Sequence, residues 1–243
     1  MTIGRTLLQF SNVTKRFGGL VAVDNVNFDV KEHEVLGLIG PNGSGKTTIM
    51  NLISGALRVS SGTISMKSRR LSAMPAYQIS RAGVARTFQL VRILPGLTIV
   101  ENVMAGSAFG HQQHWGHEAQ HQAEALLDRL GLGAQMNDPA SSLTYIDQKR
   151  LELARALASE PRVLLLDEWL AGLNPTELQI GIDLVSQLRN EGRTIILVEH
   201  VMDAIRSVCD RCVVMNSGAK ISEGTPSQVL SDKQVIQAYL GDE

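Results

Sequence analysis

The stretch Gly40-Pro41-Asn42-Gly43-Ser44-Gly45-Lys46-Thr47-Thr48 decides the fold, because it fits the phosphate-binding pattern G-x-x-x-x-G-K-[ST]. The apolar run Val35–Ile39 before it predicts a buried strand, and the segment from Thr47 to Ile53 predicts the first turns of a helix. Between them, glycines allow the backbone to wrap a phosphate, and successive N–H groups face it. Lys46 adds a positive charge at the γ-phosphate, and the Thr47 hydroxyl can ligate Mg²⁺. The sequence therefore predicts a nucleoside triphosphate site at Gly40–Thr48.

Composition and charge narrow the class of protein. The chain has 243 residues, of which 44% are hydrophobic and 19% charged, as in one large globular domain or a domain with an inserted subdomain. A net charge of −1 gives no reason to expect a nucleic-acid partner. Apolar runs such as Val163–Leu166 are far shorter than the ~20 residues that span a bilayer, and Met1–Arg5 lacks the layout of a signal peptide. We expect a cytoplasmic protein whose membrane role comes through a partner.

Hydrophobic periodicity predicts an α/β architecture with parallel strands. Strand patterns cover Leu7–Thr14, Val26–Val30, Val35–Ile39, Gly62–Met66, Val163–Leu166, Thr194–Val198 and segments near Val213 and Ile221. Helical patterns cover Thr98–Gly106, Glu118–Leu130, Gln148–Ser159, Thr176–Asn190 and Val201–Val208. Strands dominate the first third, helices dominate the middle, and the two alternate in the last third. This order predicts a phosphate-binding core interrupted by a helical insertion.

Two groups of potential metal ligands each have two interpretations. The spacing of Cys209 and Cys212 is compatible with redox or metal chemistry, but no second pair completes a zinc set, which favours ordinary buried cysteines. His114, His117 and His121 have the spacing i, i+3, i+7, so they could share a helix face and bind a metal. Their glutamine-rich, polar surroundings favour a solvated helix start instead.

Two acids follow a buried strand further along the chain. Asp167 and Glu168 come directly after the apolar run Val163–Leu166. A strand that ends at the nucleotide would place Asp167 near Mg²⁺ and Glu168 near the γ-phosphate. Phosphoryl transfer to water needs a metal clamp and a group that positions or deprotonates the water. Because the two acids supply both functions, the sequence predicts hydrolysis of the bound nucleotide.

Four more motifs stand in a fixed order around the phosphate-binding loop and the two acids. They are Phe17, Arg86-Thr87-Phe88-Gln89, Ala171-Gly172-Leu173-Asn174-Pro175 and Val198-Glu199-His200. In this order and spacing the chain resembles the nucleotide-binding subunits of ABC (ATP-binding cassette) transporters, from about Leu7 to Leu240. The resemblance implies a P-loop (RecA-like) core, 1–89 and 160–243, with an antiparallel β subdomain and an inserted helical subdomain, 90–159. It also implies ATP and Mg²⁺ as ligands.

The same resemblance assigns roles to the motifs. Phe17 would stack on adenine, and His200 in the switch region would hydrogen-bond the γ-phosphate. Gln89 of the Q-loop would touch Mg²⁺ and the attacking water and would report on the membrane partner. The D-loop, Ala171–Pro175, would lie across a dimer of two ATPase subunits.

Finer details resemble the importers for branched-chain amino acids and related small solutes such as urea and amides. The segments that carry this resemblance are Phe17–Ala22, Ala85–Leu90, Thr98–Val103, Ala171–Glu177 and Val235–Gly241. The implied partners are a second ABC ATPase subunit, two transmembrane permease subunits and a periplasmic or extracellular solute-binding protein, with the chain peripheral on the inner face of the membrane. The ATPase subunits for lipopolysaccharide export look similar and remain an alternative. Soluble ABC proteins of DNA repair or translation carry two cassettes or a long coiled coil, which do not fit in 243 residues.

The chain departs from the family at its signature, which reads L-S-G-G-Q, or L-S-Y-G-Q in the importer subfamily. Here the sequence is Leu143-Thr144-Tyr145-Ile146-Asp147. In the family this segment closes over ATP bound to the opposite subunit, so Ile146 should obstruct the approach and limit the backbone. Asp147 suits a helix start but would repel ATP, by roughly 2 kcal/mol at ~8 Å and an effective dielectric near 20. Trp169 after Glu168 and Val201 after His200 also differ from the family pattern.

These departures lead to a hypothesis about pairing. The chain's own loop, Asp167, Glu168 and His200 would remain competent, while its signature would serve the opposite site poorly. A heterodimer would then hold one strong site and one weak site, whereas a homodimer would turn over slowly. A nucleotide-gated subunit that binds ATP but barely hydrolyses it is the remaining alternative.

Overall fold

The computed structural model describes residues 4–240 and divides the chain into two compact units. The core unit comprises Met1–Ala76 and Leu170–Glu243, and the inserted unit comprises Tyr77–Trp169. The subdomain boundaries expected at 89/90 and 159/160 stay a prediction. Across the described range, no helix has both the length and the apolar character needed to cross a bilayer.

Strands dominate the first third of the chain, helices dominate the middle, and the two alternate in most of the last third, as the sequence predicts. The strands are β1 Thr6–Phe17, β2 Leu20–Lys31, β3 Val35–Ile39, β4 Ser61–Met66, β5 Arg69–Arg70, β6 Val84–Arg86, β7 Val163–Asp167, β8 Thr194–Val198, β9 Arg211–Asn216 and β10 Ala219–Gly224. The α-helices are α1 Lys46–Ile53, α2 Ala76–Ala82, α3 Ile99–Phe109, α4 Gly116–Arg129, α5 Tyr145–Ala158, α6 Pro175–Asn190, α7 Met202–Val208, α8 Pro226–Leu230 and α9 Lys233–Leu240.

The core unit contains strands of both orientations. An antiparallel sheet has the order β2-β1-β4-β5, and Phe10 stacks on Phe28 across β1 and β2 with ring centroids 4.2 Å apart. In a second set, β3 lies between β9 and β8 and is parallel to both, while β10 is antiparallel to β9. Every residue of β3 and β8 is buried, which explains why both strands are uninterrupted apolar runs.

The inserted unit is mainly helical. The strands β6 and β7 pair in parallel, with Arg86 opposite Leu165. Helix α3 begins at the capping box formed by Thr98 and Glu101. Helices α3 and α5 approach closely at Gly106, where an added Cβ would lie 2.2 Å from the Arg155 carbonyl oxygen.

The α/β architecture is confirmed, and β3 and β8 have the predicted limits. Several limits were predicted wrongly. Strand β2 begins at Leu20 instead of Val26, because the residues before Val26 also pair with β1. Helix α5 begins at Tyr145 instead of Gln148, since Thr144 is the N-cap. The sequence patterns did not reveal β5, α2, β6, α8 and α9, which have two to eight residues each.

Cys209 and Cys212 are buried, as the favoured interpretation predicted. An added Cβ on Gly37 would lie 3.0 Å from each sulfur atom, so the two thiols pack tightly against β3. A hydrogen bond with Cys212, together with burial, raises the pKa of the Cys209 thiol well above its ordinary value. Because metals bind the thiolate form, this environment disfavours metal binding.

The histidine segment contains an exposed helix start, as the favoured interpretation predicted, and not a face shared by three histidines. Helix α4 begins at Gly116, so His114 lies outside it, whereas His117 and His121 lie on it and are exposed. His114 Nδ1 lies 2.9 Å from a carboxylate oxygen of Glu118. Between residues 4 and 240, no group of three or more histidine, cysteine, aspartate or glutamate side chains is arranged to hold a metal ion.

Candidate nucleotide-hydrolysis site

The phosphate-binding loop joins β3 to α1 within the core unit and depends on two glycines. Gly40 and Gly45 have φ angles of +146° and +105°. An added Cβ would lie 2.1 Å from the Met215 carbonyl oxygen at Gly40 and 2.5 Å from the Ala22 carbonyl oxygen at Gly45. Any side chain at either position would therefore collide with backbone and occupy an unfavourable conformation, so the loop requires glycine there.

Two polar side chains of the loop suit an anionic ligand. Lys46 is 5% exposed, and its Nζ donates hydrogen bonds to the carbonyl oxygens of Gly40 and Pro41 at 2.8 and 2.9 Å. Ser44 Oγ is buried without a hydrogen-bond partner among residues 4–240. Asn42, Gly43 and Thr47 are exposed, and Thr48 is half-buried. A phosphate group would accept a hydrogen bond from the Ser44 hydroxyl and would be attracted by the Lys46 ammonium.

In the inserted unit, Asp167 is the last residue of β7, and its two carboxylate oxygens have different surroundings. Asp167 Oδ2 accepts a hydrogen bond from Arg86 Nη2 at 2.6 Å, and the Asp167 side chain is 1% exposed. Asp167 Oδ1 is buried and has no hydrogen-bond partner among the described residues. A buried carboxylate oxygen that lacks a donor is a suitable acceptor for a water bound to Mg²⁺, so this residue fits the expected metal.

The next residue, Glu168, contacts the glutamine of the Q-loop. Gln89 Nε2 donates a hydrogen bond to Glu168 Oε2 at 2.7 Å. Gln89 is exposed, and Glu168 is half-buried. Glu168 also has a φ of +51°, in the left-handed region that non-glycine residues rarely adopt. Strained backbone of this kind concentrates at functional sites.

The switch and D-loop motifs lie in the core unit. Glu199 is buried, and its Oε1 accepts a hydrogen bond from the Leu170 N–H at 2.6 Å, while the adjacent His200 is exposed. Asn174 of the D-loop forms a capping box with Glu177 at the start of α6. Val201 is the N-cap of α7, and its side chain makes no capping hydrogen bond. In the family an acid often stands at this position.

The divergent signature forms the first turn of α5, and this revises the expected effect of Asp147. Thr144 Oγ1 donates to Asp147 Oδ2 at 2.7 Å and accepts from the Asp147 N–H at 3.3 Å. Arg150 Nη1 lies 3.1 Å from Asp147 Oδ1. Because this guanidinium offsets the carboxylate charge, repulsion of ATP by Asp147 should be smaller than the sequence-based figure.

The signature backbone is helical at Ile146. Ile146 lies within α5 and has no positive φ, so the local conformation does not require glycine. The limit that a β-branched residue is expected to place on the backbone here, and the steric obstruction by its side chain, both concern closure over the opposite ATP and stay predictions. Leu143 is buried, whereas Thr144 and Tyr145 are exposed.

Sequence reasoning missed a buried acid on α5 that holds the Q-loop. Glu152 is 1% exposed, and its two carboxylate oxygens accept hydrogen bonds from the Phe88 N–H at 3.1 Å and the Arg92 N–H at 2.9 Å. Arg155, one turn later, lies 3.8 Å from Glu152 and contacts the Arg92 carbonyl oxygen. These bonds bracket Gln89 on both sides. Sequence offered only a weak signal, an acid on the apolar face of a predicted helix.

The environment of Glu152 predicts a pH dependence of stability. Burial raises its pKa above the ordinary value of 4.5, against the opposing effects of the Arg92 and Phe88 N–H groups and of Arg155. The folded chain therefore keeps a proton that the unfolded chain loses, so the stabilising contribution of Glu152 declines as pH rises from about 4.5 through the folded-state pKa. We expect wild type to lose stability relative to Glu152→Gln between pH 4.5 and 7, measured as melting temperatures. A relative stability that is constant or increases with pH would contradict the raised pKa.

Comparison with known proteins identifies the family. Residues 23–171 match the family model described as "ABC transporter". The chain belongs to the ABC transporter family. Residues 219–243, which include β10, α8 and α9, also match the model described as "Branched-chain amino acid ATP-binding cassette transporter".

Two curated relatives extend over nearly the whole chain. The "High-affinity branched-chain amino acid transport ATP-binding protein LivG" of Salmonella typhimurium is 40% identical over 257 aligned residues, which cover 99% of this chain and 100% of LivG. The "Lipopolysaccharide export system ATP-binding protein LptB" of Haemophilus influenzae is 30% identical and covers 98% of both chains. The lower identity to LptB agrees with the preference for the importer subfamily over the export alternative.

A solved ABC cassette has the same fold. The crystal structure of the ADP conformation of MJ1267, an ATP-binding cassette of an ABC transporter, superposes with a TM-score of 0.87 at 29% identity and covers 98% of this chain and 99% of MJ1267. The predicted P-loop cassette fold is therefore confirmed for this ABC chain.

Proposed function

We propose that the chain is the ATP-hydrolysing motor subunit of an ABC importer for branched-chain or related hydrophobic amino acids. The observation that carries the catalytic part is the 2.7 Å hydrogen bond between Gln89 and Glu168. Glu168 directly follows Asp167, whose Oδ1 is buried without a donor within residues 4–240. The solute class is supported by the 40% identity to LivG and by the match of residues 219–243 to the branched-chain amino acid transporter model.

In this proposal the loop Gly40–Thr48 binds the phosphates of ATP. Lys46 contributes charge at the γ-phosphate, and the loop N–H groups and the Ser44 hydroxyl donate to phosphate oxygens. Phe17 stacks on the adenine ring, which is supported by its 44% exposure. The Lys15 ammonium lies 4.8 Å from the centroid of the Phe17 ring and makes a cation–π contact with it.

Hydrolysis then depends on residues that follow β6 and β7. Thr47, Gln89 and Asp167 would be the residues that hold Mg²⁺, and the ion would offset the negative charge of the phosphates. Glu168 accepts the proton of the attacking water, and Gln89 orients both the carboxylate and the water. His200 donates a hydrogen bond to the γ-phosphate.

The chain works in this proposal with a second ATPase subunit, two permease subunits and a solute-binding protein, at the cytoplasmic face of the membrane. Leu90, Leu94 and Leu97 follow Gln89 and are 79%, 42% and 36% exposed. Exposed apolar side chains grouped along one segment are typical of a protein contact. This position supports a permease contact that communicates with Gln89, so that nucleotide-driven closure of the ATPase dimer moves the permease.

One observation favours a second candidate function. Ile146 stands where the ABC signature has glycine, so the opposite site of a homodimer would close poorly. The chain would then be a nucleotide-gated subunit that binds ATP and hydrolyses it slowly. The two candidates differ in turnover, not in ATP binding.

ATP with Mg²⁺ should raise the melting temperature of the purified chain. At a concentration 100 times the Kd, binding contributes about 2.7 kcal/mol, which corresponds to a shift of about 5–10 °C for a chain of this size. Lys46→Ala should abolish the shift, because it removes the charge that faces the phosphates. An equal shift in the variant would contradict the assignment of the loop. Release of phosphate from ATP, measured on the same samples, separates the motor from the gated subunit.

The solute class requires the complete transporter. A tag on this chain would isolate the complex from its native membrane. Leucine, isoleucine or valine, with the co-purified binding protein, should stimulate its ATPase activity, whereas glutamate should not. Stimulation by an acidic or a lipid substrate alone would overturn the proposed solute.

A further inference from the structure

Trp169, which replaces the proline usual after the glutamate, is fixed to the signature helix by two reciprocal hydrogen bonds. Its indole Nε1–H donates to the Lys149 carbonyl oxygen at 3.1 Å. In return, Lys149 Nζ donates to the Trp169 carbonyl oxygen at 3.1 Å. Trp169 is 4% exposed and Lys149 2% exposed. Two such bonds between the same pair of residues fix both the Trp169 ring and the peptide that joins Trp169 to Leu170.

The Lys149 ammonium is buried in surroundings that suit a cation. Its Nζ lies 5.2 Å from the centroid of the Tyr145 ring, one turn earlier on α5. A buried charge is retained only where hydrogen bonds and partial charges compensate its desolvation. The Trp169 carbonyl oxygen supplies such compensation. The contact therefore stabilises the lysine as well as the segment that it holds.

Glu168 needs such support on structural grounds. Its φ of +51° is unfavourable for a residue with a side chain and persists only when neighbouring contacts impose it. The Glu168 carboxylate is fixed by Gln89. The peptide between Trp169 and Leu170 is fixed at both ends, because its carbonyl oxygen accepts from Lys149 and its N–H donates to Glu199. Glu168 is thus held at its side chain and, through Trp169, by the fixed peptide that follows it in the chain.

We propose that Lys149 and Trp169 are positioning residues that keep the Glu168 carboxylate in its hydrolytic orientation. The inference rests on the proposed function, because it concerns how that site is held. Neither residue needs to touch the nucleotide. Since Lys149 lies on the helix that begins with Tyr145, Ile146 and Asp147, a displacement of the signature turn would reach Glu168 of the same chain through this pair.

The inference predicts that substitutions at Trp169 and Lys149 lower kcat while the KM for ATP changes little. Trp169→Phe keeps an aromatic ring but removes the indole donor, and Lys149→Met keeps the aliphatic stem but removes the ammonium. Each change should lower kcat for ATP hydrolysis by about 10-fold, because small misplacements of catalytic groups reduce rates strongly. The KM for ATP should stay within about twofold, since the phosphate-binding loop is untouched. Trp115→Phe, the same change at the 61% exposed tryptophan, is the matched control and should keep the wild-type rate.

A second background tests whether the pair acts through Glu168. In Glu168→Gln, addition of Trp169→Phe should leave the residual rate of phosphate release unchanged within about twofold, because the group being positioned is already lost. A further 10-fold loss there, an equal change in KM, or a wild-type kcat in both single variants overturns the inference. If Trp169→Phe does not fold, Lys149→Met tests the reciprocal bond in its place. A wild-type chain that releases no phosphate with any partner overturns the proposed function, and this inference with it.

Discussion

Glu168→Gln is expected to lower ATP turnover by at least about 100-fold while ATP binding persists. General-base catalysis contributes about 10²–10⁴-fold, and a neutral amide cannot accept the proton of the attacking water. The replacement has nearly the same shape, and the glutamine can still accept a hydrogen bond from Gln89, whose Nε2 lies 2.7 Å from Glu168 Oε2 in wild type. Phosphate release measures the loss of turnover, and the ATP-induced shift in melting temperature measures the retained binding.

Glu118→Gln is the matched control for this prediction. Glu118 lies in the first turn of α4, and its side chain is 70% exposed. The same chemical change there should leave turnover within about twofold of wild type. If Glu168→Gln instead kept more than a tenth of the wild-type rate, Glu168 would not be the general base, and Gln89 would orient water without it.

The strands around the phosphate-binding loop could be predicted from sequence, whereas the short elements could not. The limits of β3 and β8 follow from their continuous apolar runs, because both faces of these strands are buried and each run ends where the strand ends. The strand β6 has three residues, Val84–Arg86, and is defined by its pairing with β7, about 80 residues later in the chain. Periodicity needs a longer window, so non-local pairing of this kind is invisible to it.

In the candidate site, too, contiguous motifs could be predicted from sequence, whereas contacts between distant residues could not. The loop Gly40–Thr48 carries its chemistry in one contiguous motif. The role of Gln89 rested on resemblance to ABC transporters, and its hydrogen bond to Glu168 joins residues 79 positions apart. The burial of Lys149 could not be predicted, because lysine side chains are mostly exposed and this one is buried through its tertiary contact with Trp169.

The start of α5 was missed although the sequence contained the relevant signal. Thr144 and Asp147 have the spacing of an N-cap with an acid at the third helical position, and the Asp147 N–H donates the capping hydrogen bond to Thr144 Oγ1, while the Thr144 hydroxyl donates to the Asp147 carboxylate. The resemblance to the ABC signature predicts that Asp147 faces ATP instead. In this structure the Asp147 carboxylate contacts the Thr144 hydroxyl at the helix start and the Arg150 guanidinium.

Repair of the signature, in Ile146→Gly with Asp147→Gln, is expected to raise ATP turnover of the homodimer by on the order of 10-fold, because small misplacements of groups that close over a substrate reduce rates strongly. An unpaired carboxylate about 8 Å from ATP would by itself cost roughly 2 kcal/mol, or about 30-fold. Because Arg150 lies 3.1 Å from Asp147, the aspartate should account for the smaller part. We therefore expect Ile146→Gly alone to give most of the increase, and Asp147→Gln alone to change turnover less than threefold. Phosphate release by the three variants distinguishes these contributions.

The controls must separate steric relief from a loosened helix, because glycine within a helix is destabilising by about 1 kcal/mol. Ile180→Gly makes the same change at a 50% exposed position of α6 and should leave turnover unchanged. If Asp147→Gln alone produced the larger rise, the Arg150 contact would not offset the carboxylate charge when ATP is bound. If neither variant raised turnover, the slow step would not be closure over the opposite ATP, and the nucleotide-gated function would become the better account of this signature. A rise confined to Ile146→Gly would instead show that the side chain of Ile146 limits the approach of the signature to ATP in the homodimer.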